Sequence, residues 1–181
     1  MFCKYFNINM LAKRFLLVVL VSFFAGAITA QNADQEAKLK AAFIYNFTKY
    51  IDWGKYDQGS DFVIGITGDS PITESLKEIS NQNTIDNKRI TIKTIRNASE
   101  IEDCNILFIP HKSRFSLNTL LRKAGPGVLT ISEEAGFAER GTAFNFVIIN
   151  NRLKFEANLK AISSAGLKAG SQLLKLAIIV D

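Results

Sequence analysis

Catalytic equipment is scarce in this chain of 181 residues. It has one histidine, His111, and two cysteines, Cys3 and Cys104. A zinc centre of histidine and cysteine ligands needs more members than that. A nucleophilic triad would have to use His111 as its base, yet no G-x-S-x-G turn supplies the nucleophile. No G-x-G-x-x-G or G-K-[ST] loop is present to cradle a phosphate. Glu133 and Glu134 are adjacent, and adjacent residues on a helix do not face each other as a carboxylate pair must. These absences argue against an enzyme, and no cofactor or metal is expected. A hydrolase built on His111 is the weakest of the functional readings.

Charge of one sign is scarce as well. The formal net charge is +5, from 22 basic and 17 acidic residues. Lys4, Lys13 and Arg14 lie in the first thirty residues, which carry no acid. Without them 19 basic face 17 acidic residues, a net of +2. No clustered basic stripe is present, which excludes the usual footprint of a nucleic-acid binder.

What the chain does have begins with an export signal. Lys4, Lys13 and Arg14 precede the apolar run Phe15 to Ile28, and Thr29-Ala30-Gln31 offers a small-residue exit. The run is shorter than the ~20 apolar residues that span a bilayer, so a membrane anchor is the lesser alternative. Cleavage is expected after Ala30, leaving a single exported domain over 31–181. Cys3 departs with the signal, and Cys104 alone cannot form an internal disulfide. A buried, inert thiol is expected there, with an intermolecular bridge as the alternative.

The mature chain is long enough for one sizeable core, and it shows no repeat, low-complexity tract or linker. Its densest apolar and aromatic stretch is Ala37 to Trp53. At 100° per residue, Leu39, Ala42, Phe43, Asn46, Phe47, Tyr50 and Trp53 share one helical face. That phase predicts a docked helix with Asn46 buried in its stripe and Tyr45 and Lys49 on the rim. Asp61 to Gly68 reads as a buried strand, followed by Ser70 as cap, Pro71 at the first helical position and a helix over Ile72 to Ser80. Asn81 to Asn87 reads as a loop, Arg89 to Ile95 as a strand, and Cys104 to Pro110 as a central strand. A helix is expected over His111 to Ala124, a strand at Val128 to Ile131, and a helical start at Ser132. Asn150-Asn151 predicts a tight hairpin between Thr142–Ile149 and Arg152–Ala157. Helices are expected at Asn158 to Leu167 and Ser171 to Ile179.

This order predicts an α/β fold: one domain with a mostly parallel central sheet flanked by helices and a β-hairpin near the C-terminus. Two kinds of site are compatible with it. Surplus apolar surface on the first and last helices makes Tyr45, Lys49, Trp53, Leu173 and Leu176 candidates for a protein contact. Loops at the carboxyl ends of strands make Asp69, Ser70 and His111 candidates for a small-molecule site.

The ordered set Lys40-Ala41-Ala42-Phe43-Ile44-Tyr45-Asn46-Phe47 with Trp53, Val63-Ile64-Gly65-Ile66, Cys104 to Ile109, Leu129-Thr130-Ile131-Ser132, Gly141 to Phe146, Phe155-Glu156-Ala157-Asn158, Gly166-Leu167 and Ser171 to Ala177 resembles the YfiR-like periplasmic proteins. The resemblance spans roughly residues 35–179. It implies a non-enzymatic periplasmic α/β domain. It also implies repression of a membrane signalling receptor or cyclase, such as a diguanylate cyclase, with an outer-membrane protein relieving that repression. A homodimer is a further partner expectation. Two departures stand out: the family's Gly-Gly before the hairpin strand is Gly141-Thr142 here, and the disulfides of YfiR itself cannot form with Cys104 alone.

Overall fold

The computed structural model describes residues 33–56 and 59–180. The export signal expected over 1–30 lies outside them. By its contacts the chain divides into Met1–Glu36 and Ala37–Asp181, and the second unit holds the whole sheet described below.

Helix α1 covers residues 33–48. The chain then turns through the short strand β1 (Ile51–Asp52) and a 3-10 turn at Gly54–Tyr56. The remaining elements are β2 (Asp61–Ile66), α2 (Ile72–Gln82), β3 (Thr84–Ile85), β4 (Lys88–Thr94), β5 (Ile106–Ile109), α3 (Leu117–Lys123), β6 (Leu129–Ser132), β7 (Phe144–Ile149), β8 (Arg152–Asn158), α4 (Leu159–Ser164), β9 (Lys168–Ala169), α5 (Ser171–Leu174) and β10 (Ile178–Val180). Eight strands form one sheet in the order β10-β8-β7-β6-β5-β2-β4-β3. Pairing is parallel from β4 through β2, β5 and β6 to β7 and again between β8 and β10, and antiparallel at β3–β4 and β7–β8. The predicted α/β class, the mostly parallel sheet and the late hairpin are all present.

Helices cover both faces, as a parallel sheet requires. On one face α1 lays Ala41, Ile44 and Phe47 against Phe62, Ile64, Ile106, Ile131, Phe144 and Phe155, and α2 adds Ile72 and Leu76. Phe47 is the hub: its ring centroid lies 4.8 Å from those of both Phe144 and Phe155. On the other face α3 packs Leu117 and Leu120 with Ile95, Ile101, Cys104, Leu107 and Ile109. β5 is buried at all four positions, as its apolar run predicted.

Several sequence expectations need correction. The buried stripe of α1 runs through Ala37, Lys40, Ala41, Ile44, Phe47 and Thr48, rotated from the predicted one. Asn46 is exposed, and its Oδ1 accepts a hydrogen bond from Lys49 Nζ at 3.2 Å. The loop at Asn81 to Asn87 contains β3, turned into β4 by Asp86 and Asn87 at φ +49° and +63°. Residues 111–116 form a loop, and α3 starts only after Ser116, whose Oγ accepts the Thr119 N–H. Glu133 and Glu134 lie in irregular chain, not on a helix. The last predicted helix stops at Leu174. Its β-branched tail Ile178-Ile179-Val180 instead adds strand β10 alongside β8, as β-branched side chains favour.

Candidate functional site

The first and last helices of the unit meet through a feature the sequence did not suggest. Strand β1 pairs antiparallel with β9, Ile51 opposite Ala169 and Asp52 opposite Lys168. The Gly170 N–H extends the ribbon by donating to the Tyr50 carbonyl at 2.7 Å. This two-stranded clip sets the end of α1 beside the start of α5. Between them is a shallow depression of about 350 Å³ lined by Lys49, Tyr50, Ile51, Asp52, Gly170, Ser171 and Gln172.

The five residues considered for a protein contact fall into two groups here. Tyr45 is half-buried, and Lys49 Nζ lies 4.6 Å from its ring centroid, within cation–π range. Leu176, just past α5, is 70% exposed. Those three belong to the surface. Trp53 and Leu173 do not, at 5% and 4% exposure. Trp53 packs edge-on against Phe62 at 5.2 Å, and its Nε1 has no hydrogen-bond partner among the described residues. Both are core residues that fix the face from beneath. Tyr50, 40% exposed, is a surface residue that the misphased stripe had assigned to the core.

The three residues of the ligand-loop reading lie where an open α/β sheet usually binds. β2 is flanked by parallel β4 and β5, so the connection reverses direction between β2 and β5, the switch point of such folds. The crevice there is filled by the chain's own β5–α3 loop. Gly68 bridges Ser113, Thr67 Oγ1 lies 2.9 Å from Ser113 Oγ, and the Arg114 N–H donates to the Thr67 carbonyl at 3.0 Å. A Cβ on Gly68 would stand 2.2 Å from the Lys112 carbonyl oxygen, so glycine is what permits the closure. Asp69 is out in solvent, with Arg114 at 3.7 Å. Ser70 Oγ accepts the Ile72 N–H at 3.4 Å, a weak contact in place of the expected cap. His111 is turned away to Glu134, Nδ1 to Oε2 at 2.7 Å. The three are neighbours in the fold but converge on no common point.

The same end of the sheet carries a polar network that the sequence concealed. Glu133 Oε2 accepts from Lys40 Nζ at 2.6 Å, with both side chains nearly buried, and Glu133 Oε1 accepts the His111 N–H at 3.2 Å. This pair pins α1 to the end of β6. Behind it Ser132 Oγ meets Thr142 Oγ1 at 2.8 Å and Asn145 Oδ1 at 2.7 Å, and Asn145 Nδ2 donates to Glu156 Oε2. Thr142, one of the two departures from the family pattern, is fully buried in that chain of bonds. Every member shown is satisfied by another, which is the mark of a specifying network rather than of a poised reactive group.

At the opposite, amino end of the strands a cleft of about 490 Å³ is lined by residues that include Tyr56, Asp61, Asn105 and Gly127. Asp61 is held by Arg89 and Thr91, and the Arg89 hydrogen bond leads in pulling its carboxyl below the ordinary value. Cys104 borders this cleft but is 5% exposed. Burial pushes its thiol up to about 11, and Gly65 makes room for its sulfur. That is the inert thiol the sequence predicted. Among the described residues no group of three metal-ligating side chains converges.

The family model described as YfiR/HmsC-like matches residues 37–178, most of the chain and nearly all of the α/β unit. No curated protein matches the chain.

Proposed function

The chain belongs to the YfiR/HmsC-like family, and from that premise we propose that it is a periplasmic regulator acting by protein contact. Family membership supports a regulatory rather than a catalytic role, within cyclic-di-GMP signalling. The finer reading is repression of a membrane signalling enzyme such as a diguanylate cyclase, with an outer-membrane protein competing for the repressor. Binding that favours one state of the receptor, and a second partner that withdraws the repressor, is a population shift needing no chemistry in the domain itself.

The observation that carries this reading is the β1–β9 clip. It sets two distant segments side by side, the α1 terminus with Lys49 and Tyr50 and the start of α5 with Ser171 and Gln172. Tyrosines are enriched in contact surfaces and in the few residues that carry their binding energy. By contrast, the crevice where a small ligand would bind is occupied by the Lys112–Arg114 loop. The test is capture from membrane extract with the exported domain as bait. The proposal expects an inner-membrane receptor, an outer-membrane protein or both to be enriched; absence of both would count against it.

A further inference from the structure

We propose that the segment docking on the α1–α5 face is acidic: an extended carboxylate-bearing stretch of a protein partner, lying across the depression between Tyr50 and Ser171. The inference rests on the protein-contact reading above and adds the chemistry of the partner.

One lysine lines the depression, and two more lie on the elements that form it. Lys49 lines it directly. Lys168 stands opposite Asp52, another lining residue, in the β1–β9 register. Lys175 follows Ser171 and Gln172 at the four- and three-residue spacings that share a helical face. All three are exposed, and among the described residues none has a carboxylate at ion-pair distance. Some lysines elsewhere pair with acids, Lys77 with Glu74 at 2.7 Å and Lys123 with Glu102 at 3.4 Å, while others, Lys112 and Lys160 among them, have no carboxylate at that distance among the described residues. The one acid in the depression, Asp52, spends Oδ1 on the Gly54 N–H at 2.8 Å. The result is a local excess of positive charge in a domain whose overall balance is close to neutral.

Tyr50 lines the same depression, and Leu176 follows two residues after α5. Tyr50 is 40% and Leu176 70% exposed. Lysines around a concave floor with an aromatic wall suit a peptide that brings carboxylates and a large side chain together. An anionic membrane surface fits less well, because juxtamembrane recognition uses clusters of four to eight basic residues and this face has three around a depression.

The test uses the full chain and a random copolymer of glutamate and tyrosine as probe, followed by fluorescence polarisation. Saturable binding that weakens with added salt is expected. Lys49→Glu with Lys175→Glu should weaken it at least about tenfold, each tenfold step being about 1.4 kcal/mol. Lys49→Gln with Lys175→Gln should fall between, which guards against a misfolded reversal. Arg96→Glu with Arg122→Glu makes the same charge change at distant exposed positions and should shift affinity less than about threefold. Equal loss in the distant pair, no binding by the unsubstituted chain, or preference for anionic vesicles over the copolymer would overturn the inference. Membrane capture with the same variants separates the two levels. If capture survives Lys49→Glu with Lys175→Glu, the acidic segment is wrong and the contact reading stands. If the unsubstituted chain captures nothing, the contact reading itself fails.

Discussion

At the scale of single residues, Asn46 and Phe47 separate what α1 hides from what it shows. Phe47 touches Phe43, Phe144, Phe146 and Phe155, so Phe47→Ala should cost about 3–5 kcal/mol of stability. Asn46 is exposed, with Lys49 as its side-chain partner among the described residues, and Asn46→Leu should stay within about 0.5 kcal/mol. Urea denaturation of both variants checks the phase of the helix. A second residue-scale prediction concerns Cys104. Burial pushes its folded thiol up to about 11 from the ordinary 9.0, so the native state holds its proton where the unfolded chain has lost it. That stabilisation is complete below about pH 9 and is lost as pH rises toward 11. The midpoint of unfolding should therefore fall more steeply between pH 9 and 11 in the unsubstituted chain than in Cys104→Ala.

At the scale of elements, what was legible in the sequence is what local chemistry decides. Asn150-Asn151 announced the hairpin, and both residues sit at positive φ, +51° and +57°. Asn151→Gly should hold or gain up to about 1 kcal/mol, whereas Asn151→Val should lose more than that, because β-branched residues avoid this region. Thermal melts of the two variants measure it. β5 was legible because its run is apolar at every position. The face of α1 was not, because both sides of that helix are apolar. Ala37, Ala41 and Ile44 go inward while Leu39 is 48% exposed, and buried Lys40 disguised the true stripe until its ion pair with Glu133 was seen. The end of α5 was misread for a related reason: whether Ile178 to Val180 coil or extend depends on the edge of β8, which lies far away in the fold rather than in the local pattern. The β1–β9 clip is two residues long on each side and leaves no periodic signal at all.

At the scale of the whole molecule, the closed switch point agrees with the proposed contact function. The chain keeps a doubly wound frame but fills its usual ligand crevice with its own loop and builds polar order there through Lys40, Glu133, Ser132 and Asn145. Such a network holds one arrangement of α1 against the sheet, and α1 carries the rim proposed for contact. Of that rim, Tyr45, Lys49 and Leu176 were readable from the sequence as surface candidates. Tyr50, Lys168 and Lys175 were not, since only the clip brings them together.

The most direct measurement is site-specific photo-crosslinking in intact cells, with a photoreactive phenylalanine analogue at Tyr50, at Leu176 and, as a distant control, at Arg122 on α3. Contact through the α1–α5 face predicts covalent adducts to the same membrane-associated protein from Tyr50 and Leu176 and none from Arg122. Adducts from Arg122 alone, or no adduct from either position on the α1–α5 face, would contradict it.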